Sequence, residues 1–239
     1  MGKVKSFDLQ RGTRVAQYEI LSKLGRGWEG EVYTVQEVPT EALRAMKIVR
    51  HSPRESVRDR VHTAWYFEQL APTGTVARYY HMGHWFFTDD EGVFYFVFEH
   101  LPGENLRAWL DKRRGRLSAR KALETTVAVV KAISRVHEAG FAVGDFGTGE
   151  NLIVLDHGSV VKICDCNPGR ADHPNIDFRN DVKEFRRLLP RVFASHGRHR
   201  LFREAQRVFR EQSRRQPPKK VLSGVYAALS VPFDDESRH

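Results

Sequence analysis

The sequence predicts an α+β protein with two lobes, the first rich in strands and the second mainly helical. Residues 18–50 alternate between apolar and polar side chains, as strands with one buried face do. Residues 118–140 instead repeat apolar positions at helical spacing, and most of the chain that follows has the same character. We expect one domain, 1–239, made of a lobe over 15–100 and a lobe over 101–239.

The first lobe is predicted to contain five antiparallel strands and one helix. Three consecutive strands fall within 18–50, separated by a glycine cluster and by Pro39-Thr40. Apolar residues then recur at helical spacing over 54–70. Strand character returns at 76–84 and at 92–100, which completes the sheet.

The second lobe is predicted to combine several helices with two short strands. Ser118 is a favourable helix cap, and Gly140 is a favourable terminator of the same helix. The predicted elements are helices over 105–113 and 118–139, strands over 152–155 and 160–164, and further helices that begin near 181, 198 and 221.

The composition excludes several classes of protein. With 41% apolar residues, the 239-residue chain is too hydrophobic to be disordered and can bury a large core. Its longest apolar runs are only a few residues, as at 127–130, and the first residues lack the apolar stretch of a secretory signal. We therefore expect a soluble cytoplasmic protein without a transmembrane segment.

The formal net charge of +9 is concentrated near the end of the chain, between Arg186 and Lys220. Such a stretch attracts nucleic acid, anionic lipid or an acidic partner, although the solvated face of helices has the same composition. No nucleic-acid recognition motif accompanies the arginines. The charge therefore favours an acidic partner at the basic helices and makes nucleic acid an unlikely ligand.

A glycine-rich segment places Gly25, Gly27 and Gly30 in the pattern G-x-G-x-x-G. Glycines at this spacing bind phosphates because they let backbone N–H groups approach anionic oxygens. In dinucleotide-binding folds the third glycine opens a helix, whereas Gly30 leads into the alternating residues that begin with Glu31-Val32. The pattern predicts a hairpin, and an ordinary glycine-rich turn is the alternative if the segment is taken alone.

Lys47 lies inside an apolar strand, where an ammonium group that faces a half-buried cleft needs anionic partners. Phosphates and a carboxylate from the following helix fit this need, and Glu68 is the candidate carboxylate. Glu55 and Asp59 compete for the same role, because a glutamate on an amphipathic helix is usually a solvent-exposed charge.

Two aspartates and an asparagine follow the long helix of the second lobe. Asp145 lies on a loop, Asn151 precedes an apolar strand, and Asp165 comes at the end of the next strand. Their oxygens are hard ligands suited to Mg²⁺, and one carboxylate can orient or deprotonate an attacking hydroxyl. Taken singly, each aspartate is typical of a turn, but in this order the three residues predict a phosphoryl-transfer site.

In order and spacing, these motifs resemble the protein-kinase-like superfamily over roughly residues 18–189. The resemblance implies a bilobal fold with a reduced helical second lobe, ATP and Mg²⁺ as cofactors, and Asp145 and Lys47 as catalytic residues. It also implies that Asn151 and Asp165 bind the metal. The implied nucleotide-binding residues are Gly25, Gly27, Gly30, Val32, Lys47, Glu68, and Glu99 and Leu101 of a hinge-like segment that follows a gatekeeper Phe98.

Departures from the common kinase pattern indicate which kinds of kinase the chain resembles. The pair Gly144-Asp145 resembles the Gly-Asp found at this place in the aminoglycoside phosphotransferases and other small-molecule kinases. The spacing from Asp145 to Asn151 is one residue longer than in the common kinase pattern. Asp181 follows Asp165 by only 16 positions, with no Ala-Pro-Glu between them. The chain therefore resembles compact atypical kinases of the RIO type, which lack an activation segment.

These observations favour transfer of the γ-phosphoryl group of ATP to a hydroxyl, with Ser or Thr of a protein as the expected acceptor. Arg170 and His173 are candidates for positioning that acceptor. A small molecule or a lipid-linked sugar is the first alternative, and the basic overall charge favours an anionic acceptor over an aminoglycoside. A pseudokinase that acts as a scaffold or nucleotide sensor is the second alternative.

Overall fold

The computed structural model describes residues 6–50, 56–86, 92–114, 116–169, 171–194 and 196–231. They form two compact units. The first unit runs to Leu101 and includes residues 171 and 172, and the second contains the rest from Pro102 onwards. Among the described residues, no helix is long and apolar enough to cross a membrane.

The first unit contains an antiparallel sheet with the strand order β1-β2-β3-β4-β6-β5 among its described residues. The predicted strand count of five is too low by one, because β1 has only two residues and shows no alternation. The strands are β1 (Arg14–Val15), β2 (Tyr18–Arg26), β3 (Gly30–Glu37), β4 (Ala42–Val49), β5 (Tyr79–Phe86) and β6 (Gly92–Glu99).

Helix α1 spans Val57–Leu70 and begins at a capping box. The backbone N–H of Asp59 donates to Ser56 Oγ at 3.3 Å, and the backbone N–H of Ser56 donates to Asp59 Oδ2 at 2.9 Å. The predicted start at 54 lies outside the described residues. The Asp59 carboxylate also accepts from the backbone N–H of Ala171, at 3.2 Å from its Oδ1. Glu55, the other expected competitor of Glu68, lies outside the described residues.

One face of the sheet packs against the N-terminal segment. The buried core on this face includes Tyr18, Tyr33 and Val35, and Phe7 and Leu9 pack against it. Because side chains alternate along a strand, the β3 residues between these core positions point to the opposite face. The hydrophobic core of this unit thus includes residues that precede the first strand.

Glu31 is a fully buried carboxylate that ties the N-terminal segment to β3. It accepts hydrogen bonds from Ser6 Oγ at 2.7 Å and from the Tyr33 hydroxyl. The backbone N–H groups of Phe7 and Asp8 also donate to it, both at 3.1 Å. Lys23 and Arg50 pair with it at 2.9 and 3.3 Å. Burial alone would raise the pKa of the Glu31 carboxyl, but the hydrogen bonds from Tyr33, Ser6 and Lys23 hold this pKa well below its usual range.

The second unit is mainly helical and is built around α3, which buries most of one face. Helix α3 packs against the last three helices and against β9. The predicted helices and the two predicted strands are present, but α4 begins before the expected 181, and the two-residue strand β7 was too short to recognise. The elements are β7 (Glu104–Asn105), α2 (Leu106–Lys112), α3 (Ala119–Glu138), β8 (Leu152–Leu155), β9 (Val160–Ile163), α4 (Phe178–Val192), α5 (Arg200–Arg215) and α6 (Pro218–Leu229).

Candidate active site

The glycine-rich segment forms the predicted hairpin between β2 and β3. Gly25 and Val32 are cross-strand partners, as are Val32 and Lys47, so these three positions form a row on one face of the sheet. A Cβ atom on Gly30 would lie 2.0 Å from the carbonyl oxygen of Ile48, so only glycine fits there. The sheet therefore brings the glycine-rich segment beside the lysine.

Lys47 Nζ lies 2.6 Å from Glu29 Oε2 in the glycine-rich segment. Glu68, the partner expected from the sequence, is instead exposed on α1. The reason is local, because a hydrogen bond of 2.9 Å from Gly27 N to Gly30 O closes the hairpin and brings Glu29 to the lysine. The pairing of Lys47 with Glu68 is thus not formed in this structure.

The hinge-like residues lie at the end of β6. Phe98 is buried, with its ring centroid 4.9 Å from that of Phe67 and 5.9 Å from that of Tyr79. The backbone N–H of Glu99 donates to the Arg78 carbonyl at 2.8 Å, and the Glu99 carboxylate accepts from Arg78 N at 3.2 Å. Leu101 is half-buried just beyond the strand. These contacts hold the strand end in place, and the role of Glu99 and Leu101 in binding adenine stays a prediction.

In the second unit, Asp181 braces the loop that carries Asp145. Its fully buried carboxylate accepts hydrogen bonds from Val143 N at 2.7 Å, Gly144 N at 2.8 Å and His137 Nε2 at 2.8 Å. Sequence reasoning missed this function because an aspartate in the first turn of a helix looks like an ordinary response to the helix dipole. The contacts join residues that are 37 to 44 positions apart, and no local pattern signals them.

The backbone at Asp145 has an unusual conformation. Gly144 and Asp145 both lie in the left-handed region, with φ of 64° and 48°. A residue other than glycine adopts this region at a cost of about 1–3 kcal/mol, and such strain clusters at functional sites. The Asp145 side chain is exposed while its neighbours Val143 and Phe146 are fully buried. The loop therefore presents Asp145 from a rigid support.

Asn151 folds back onto the same loop, where its Nδ2 donates to the Asp145 carbonyl at 2.7 Å. A backbone hydrogen bond of 2.8 Å closes a turn from Phe146 to Gly149. This turn accommodates the one residue by which the loop exceeds the common kinase spacing. Cys164 N donates to the Asn151 carbonyl at 3.0 Å, which places the backbone before the half-buried Asp165 beside Asn151. The structure thus brings the loop of Asp145, Asn151 and the segment of Asp165 together.

The donors Asn151 and Asp165 fit a Mg²⁺ ion that is completed by phosphate and water. Because Asn151 Nδ2 is used by the Asp145 carbonyl, its Oδ1 is the atom left to face a metal. Within the described ranges there is no group of three or more His, Cys, Asp and Glu residues that could hold a metal ion. Mg²⁺ usually takes one or two carboxylates and keeps waters or phosphates as further ligands, and its binding by Asn151 and Asp165 stays a prediction.

A cavity of about 610 Å³ opens beside Asp145 in the second unit. Its lining includes three carboxylate side chains, those of Asp145, Asp177 and Glu184, and the imidazole of His173. The Glu184 carboxylate accepts from Gly147 N at 2.7 Å. The expectation of an anionic acceptor, which rested on the overall basic charge, therefore disagrees with the acidic lining of this cavity. Of the two predicted positioning residues, His173 lines the cavity and Arg170 lies outside the described residues.

Backbone hydrogen bonds hold the described residues of the short segment between Asp165 and α4. Asn167 N donates to the Val143 carbonyl at 2.9 Å, and Ala142 N donates to the Asn175 carbonyl at 3.3 Å. An isolated antiparallel bridge joins Gly169 to Pro174 within the loop. These bonds join the loop to the residues that lead into Asp145.

This arrangement of motifs agrees with what comparison with known proteins finds. A family model described as the protein kinase domain matches residues 18–176. The chain belongs to the protein kinase family. The kinase resemblance expected from the motifs is thus confirmed, and the likeness to RIO-type kinases stays a prediction.

Several known kinases are similar to this kinase chain. Serine/threonine-protein kinase ppk35 of Schizosaccharomyces pombe is 27% identical over 161 residues, which are 66% of this chain and 25% of that protein. SCH9 of Saccharomyces cerevisiae, also a serine/threonine-protein kinase, is 26% identical over 155 residues, 65% of this chain and 18% of that protein. The kinase chain therefore corresponds to a quarter or less of the length of these relatives.

The fold of this kinase is similar to that of the PknI kinase domain from Mycobacterium tuberculosis. The two share a TM-score of 0.63 at 16% sequence identity, over 92% of this chain and 99% of the other. Similarity at this identity concerns the fold alone. The predicted α+β kinase-like fold is confirmed, with the correction to the strand count given above.

Proposed function

We propose that this kinase transfers the γ-phosphoryl group of ATP to a hydroxyl in a Mg²⁺-dependent reaction, and that the acceptor is Ser or Thr of a protein. The observation that carries the proposal is the support of the loop of Asp145. Asp181 accepts hydrogen bonds from the backbone just before Asp145, and Asn151 donates one to the Asp145 carbonyl. The cavity beside Asp145 provides room for an acceptor group. The similarity to proteins described as serine/threonine-protein kinases supports the choice of acceptor.

In this proposal, most of the predicted residues take part in binding ATP, and Glu68 does not. The Lys47 ammonium and the backbone from Gly25 to Gly30 hold the phosphates, and backbone groups of Glu99 and Leu101 bind adenine. Mg²⁺, when bound through the metal-binding residues named above, neutralises the charge on the phosphates.

Asp145 orients the acceptor hydroxyl and accepts its proton as the new O–P bond forms. The bond between the γ-phosphorus and the leaving oxygen breaks in the same step, and ADP leaves. Catalysis in this scheme comes mainly from positioning and from charge neutralisation.

Replacing Asp145 with asparagine should lower phosphoryl transfer about 10²-fold, since the amide cannot accept the hydroxyl proton. The protein would be incubated with γ-labelled ATP and a cell extract, and label would be counted in protein, lipid-linked sugar and small solutes. Asp111→Asn, which removes an exposed carboxylate from α2, is the matched control and should keep full activity.

The distribution of label decides between the acceptors. Label in protein supports the proposal, whereas label only in small solutes or lipid-linked sugar would replace the protein acceptor with the small-molecule alternative. That alternative draws support from the acidic cavity, which suits a cationic acceptor. ATP binding without any transfer would favour the pseudokinase alternative.

We also propose that α5 binds an acidic protein segment. Its exposed arginines lie at helical spacing and form a stripe, while the opposite face of the helix is buried. Two glutamates beside the stripe, Glu204 and Glu211, pair with Arg207 and interrupt the positive charge along the helix, which suits a short acidic segment better than a long nucleic-acid backbone. The stripe consists of Arg203, Arg207, Arg210 and Arg214.

A fluorescent peptide of ten glutamates tests this surface by anisotropy. The double variant Arg210→Gln and Arg214→Gln should bind it about tenfold more weakly, because two charges of the stripe are lost. Arg58→Gln and Arg135→Gln remove two charges elsewhere and serve as the control. Equal binding by both double variants, or tighter binding of a single-stranded oligonucleotide than of the peptide, would contradict the proposal.

The division of a single kinase-like domain into a nucleotide lobe over 15–100 and a catalytic lobe over 101–239 stays a prediction. So does the cytoplasmic location, which cell fractionation followed by activity measurement tests.

A further inference from the structure

The glycine-rich segment places its own carboxylate on the lysine that is proposed to hold the nucleotide phosphates. Glu29 Oε2 lies 2.6 Å from Lys47 Nζ, a distance typical of a charge-assisted hydrogen bond. The Lys47 side chain is 18% exposed and that of Glu29 is 34% exposed, so the pair is partly shielded from water. A carboxylate in this place resembles a phosphate in charge and in its hydrogen-bond acceptors.

Arg50 at the end of β4 holds the hairpin in the conformation that makes this contact. Its Nη1 donates to the Gly27 carbonyl at 2.6 Å and to the Trp28 carbonyl at 3.0 Å, and its backbone N–H donates to the Glu29 carbonyl at 2.7 Å. The same guanidinium is anchored on the fully buried Glu31 at 3.3 Å. The hairpin tip is thus fixed from below, while the Trp28 side chain at the tip is 82% exposed.

We infer that Glu29 is a built-in competitor of the nucleotide phosphates and sets the affinity of this kinase for ATP. The inference rests on the proposed function, because it requires that phosphates bind at Lys47. A phosphate oxygen that approaches the ammonium meets a carboxylate of the same charge, so the Glu29 side chain must leave before the phosphate binds. Groups of the nucleotide that do not reach Lys47, such as the adenosine moiety, do not meet this competition.

The size of the effect follows from the fraction of time for which Lys47 is accessible. Apparent affinity falls in proportion to the fraction of molecules in the binding-competent state, so a pair formed about nine-tenths of the time weakens ATP binding about tenfold. Replacing Glu29 with glutamine keeps the shape of the side chain and removes its charge. The Glu29→Gln protein should therefore bind ATP about tenfold more tightly than the wild type.

Calorimetric titration with ATP and with adenosine, both without Mg²⁺, tests this inference on the full chain. Glu29→Gln should tighten ATP binding and leave adenosine binding unchanged. Glu19→Gln, which removes a carboxylate of β2 that lies 3.9 Å from the exposed Arg14, controls for the change in net charge and should bind both ligands as the wild type does.

The outcomes separate this inference from the proposed function. Equal or weaker ATP binding by Glu29→Gln, with adenosine binding retained, would overturn the role of Glu29 and leave the nucleotide site standing. An equal gain in affinity for ATP and adenosine would also overturn it, because the effect would then not act through the phosphates. Failure of the wild type to bind either ligand would overturn the nucleotide site and the inference together.

Discussion

Replacing Asp165 with asparagine should lower phosphoryl transfer about 10⁴-fold, because an uncharged amide binds Mg²⁺ more weakly than a carboxylate does. Several kcal/mol of charge stabilisation are lost in the step that transfers the phosphoryl group. Steady-state transfer from labelled ATP measures the loss. Binding of ATP in the absence of Mg²⁺ should stay at the wild-type level, since Asp165 acts through the metal.

Two outcomes would contradict the assignment of Asp165. Transfer at the wild-type rate would show that the metal is held elsewhere, and weaker ATP binding without Mg²⁺ would indicate a structural effect. Asp111→Asn again supplies a carboxylate-to-amide change on the surface of the same unit. Its full activity would show that the loss is specific to the segment after β9.

Asp181→Asn should lower the free energy of unfolding by about 3 kcal/mol, because the variant disturbs a buried carboxylate with three hydrogen-bond partners. An asparagine turned to satisfy one backbone N–H with its oxygen would direct its own NH₂ group at another donor. Urea denaturation followed by circular dichroism measures the change. Because Val143 and Gly144 lose their support, transfer should also fall.

Asp177→Asn is the matched control for this experiment. Asp177 caps the same helix by accepting from Asn180 N at 3.0 Å, and asparagine is an equally good helix cap. Its free energy of unfolding should stay close to that of the wild type. Equal effects of the two substitutions would contradict the special role of Asp181 and would indicate a general sensitivity of the start of α4.

The sequence predicts those parts of the fold in which a local pattern is long enough to be read. Strands β3 and β4 are eight residues long each and rich in apolar side chains, and α3 lies between a serine cap and a terminating glycine. Strands β1 and β7 have two residues each and form only because a neighbouring strand offers hydrogen-bond partners. Such short elements are formed by tertiary contacts and not by a local sequence preference.

The candidate site shows the same division between local and distant information. The positions of Asp145 and Asn151 follow from motif order, because their elements are close in sequence. The contact of Lys47 with Glu29 depends on how a glycine-rich hairpin folds. The sequence pattern instead indicated Glu68, with Glu55 and Asp59 as competitors, and did not point to Glu29. The support that Asp181 gives to the loop also depends on distant contacts, which a single sequence does not contain.

Total charge was a poor guide to the charge of the cavity beside Asp145, because it does not describe the local surroundings. The net charge of +9 is a sum over the whole chain, whereas a bound group responds to charges within about a Debye length, roughly 10 Å. The basic residues are concentrated on the exposed faces of the late helices, and the cavity beside Asp145 is acidic. Local composition can therefore oppose the global sum.

The stretch of chain recognisable as a kinase is shorter than the stretch that folds. The family match covers 18–176, yet Phe7 and Leu9 pack on the core of the first unit, and α6 contributes four buried apolar residues beside α3. A fragment cut at the limits of the match would expose apolar surface in both units and would be prone to aggregate. The limits of the family match and the limits of the folded units thus differ in this protein. A protein expressed for biochemistry must include all residues that build the two cores.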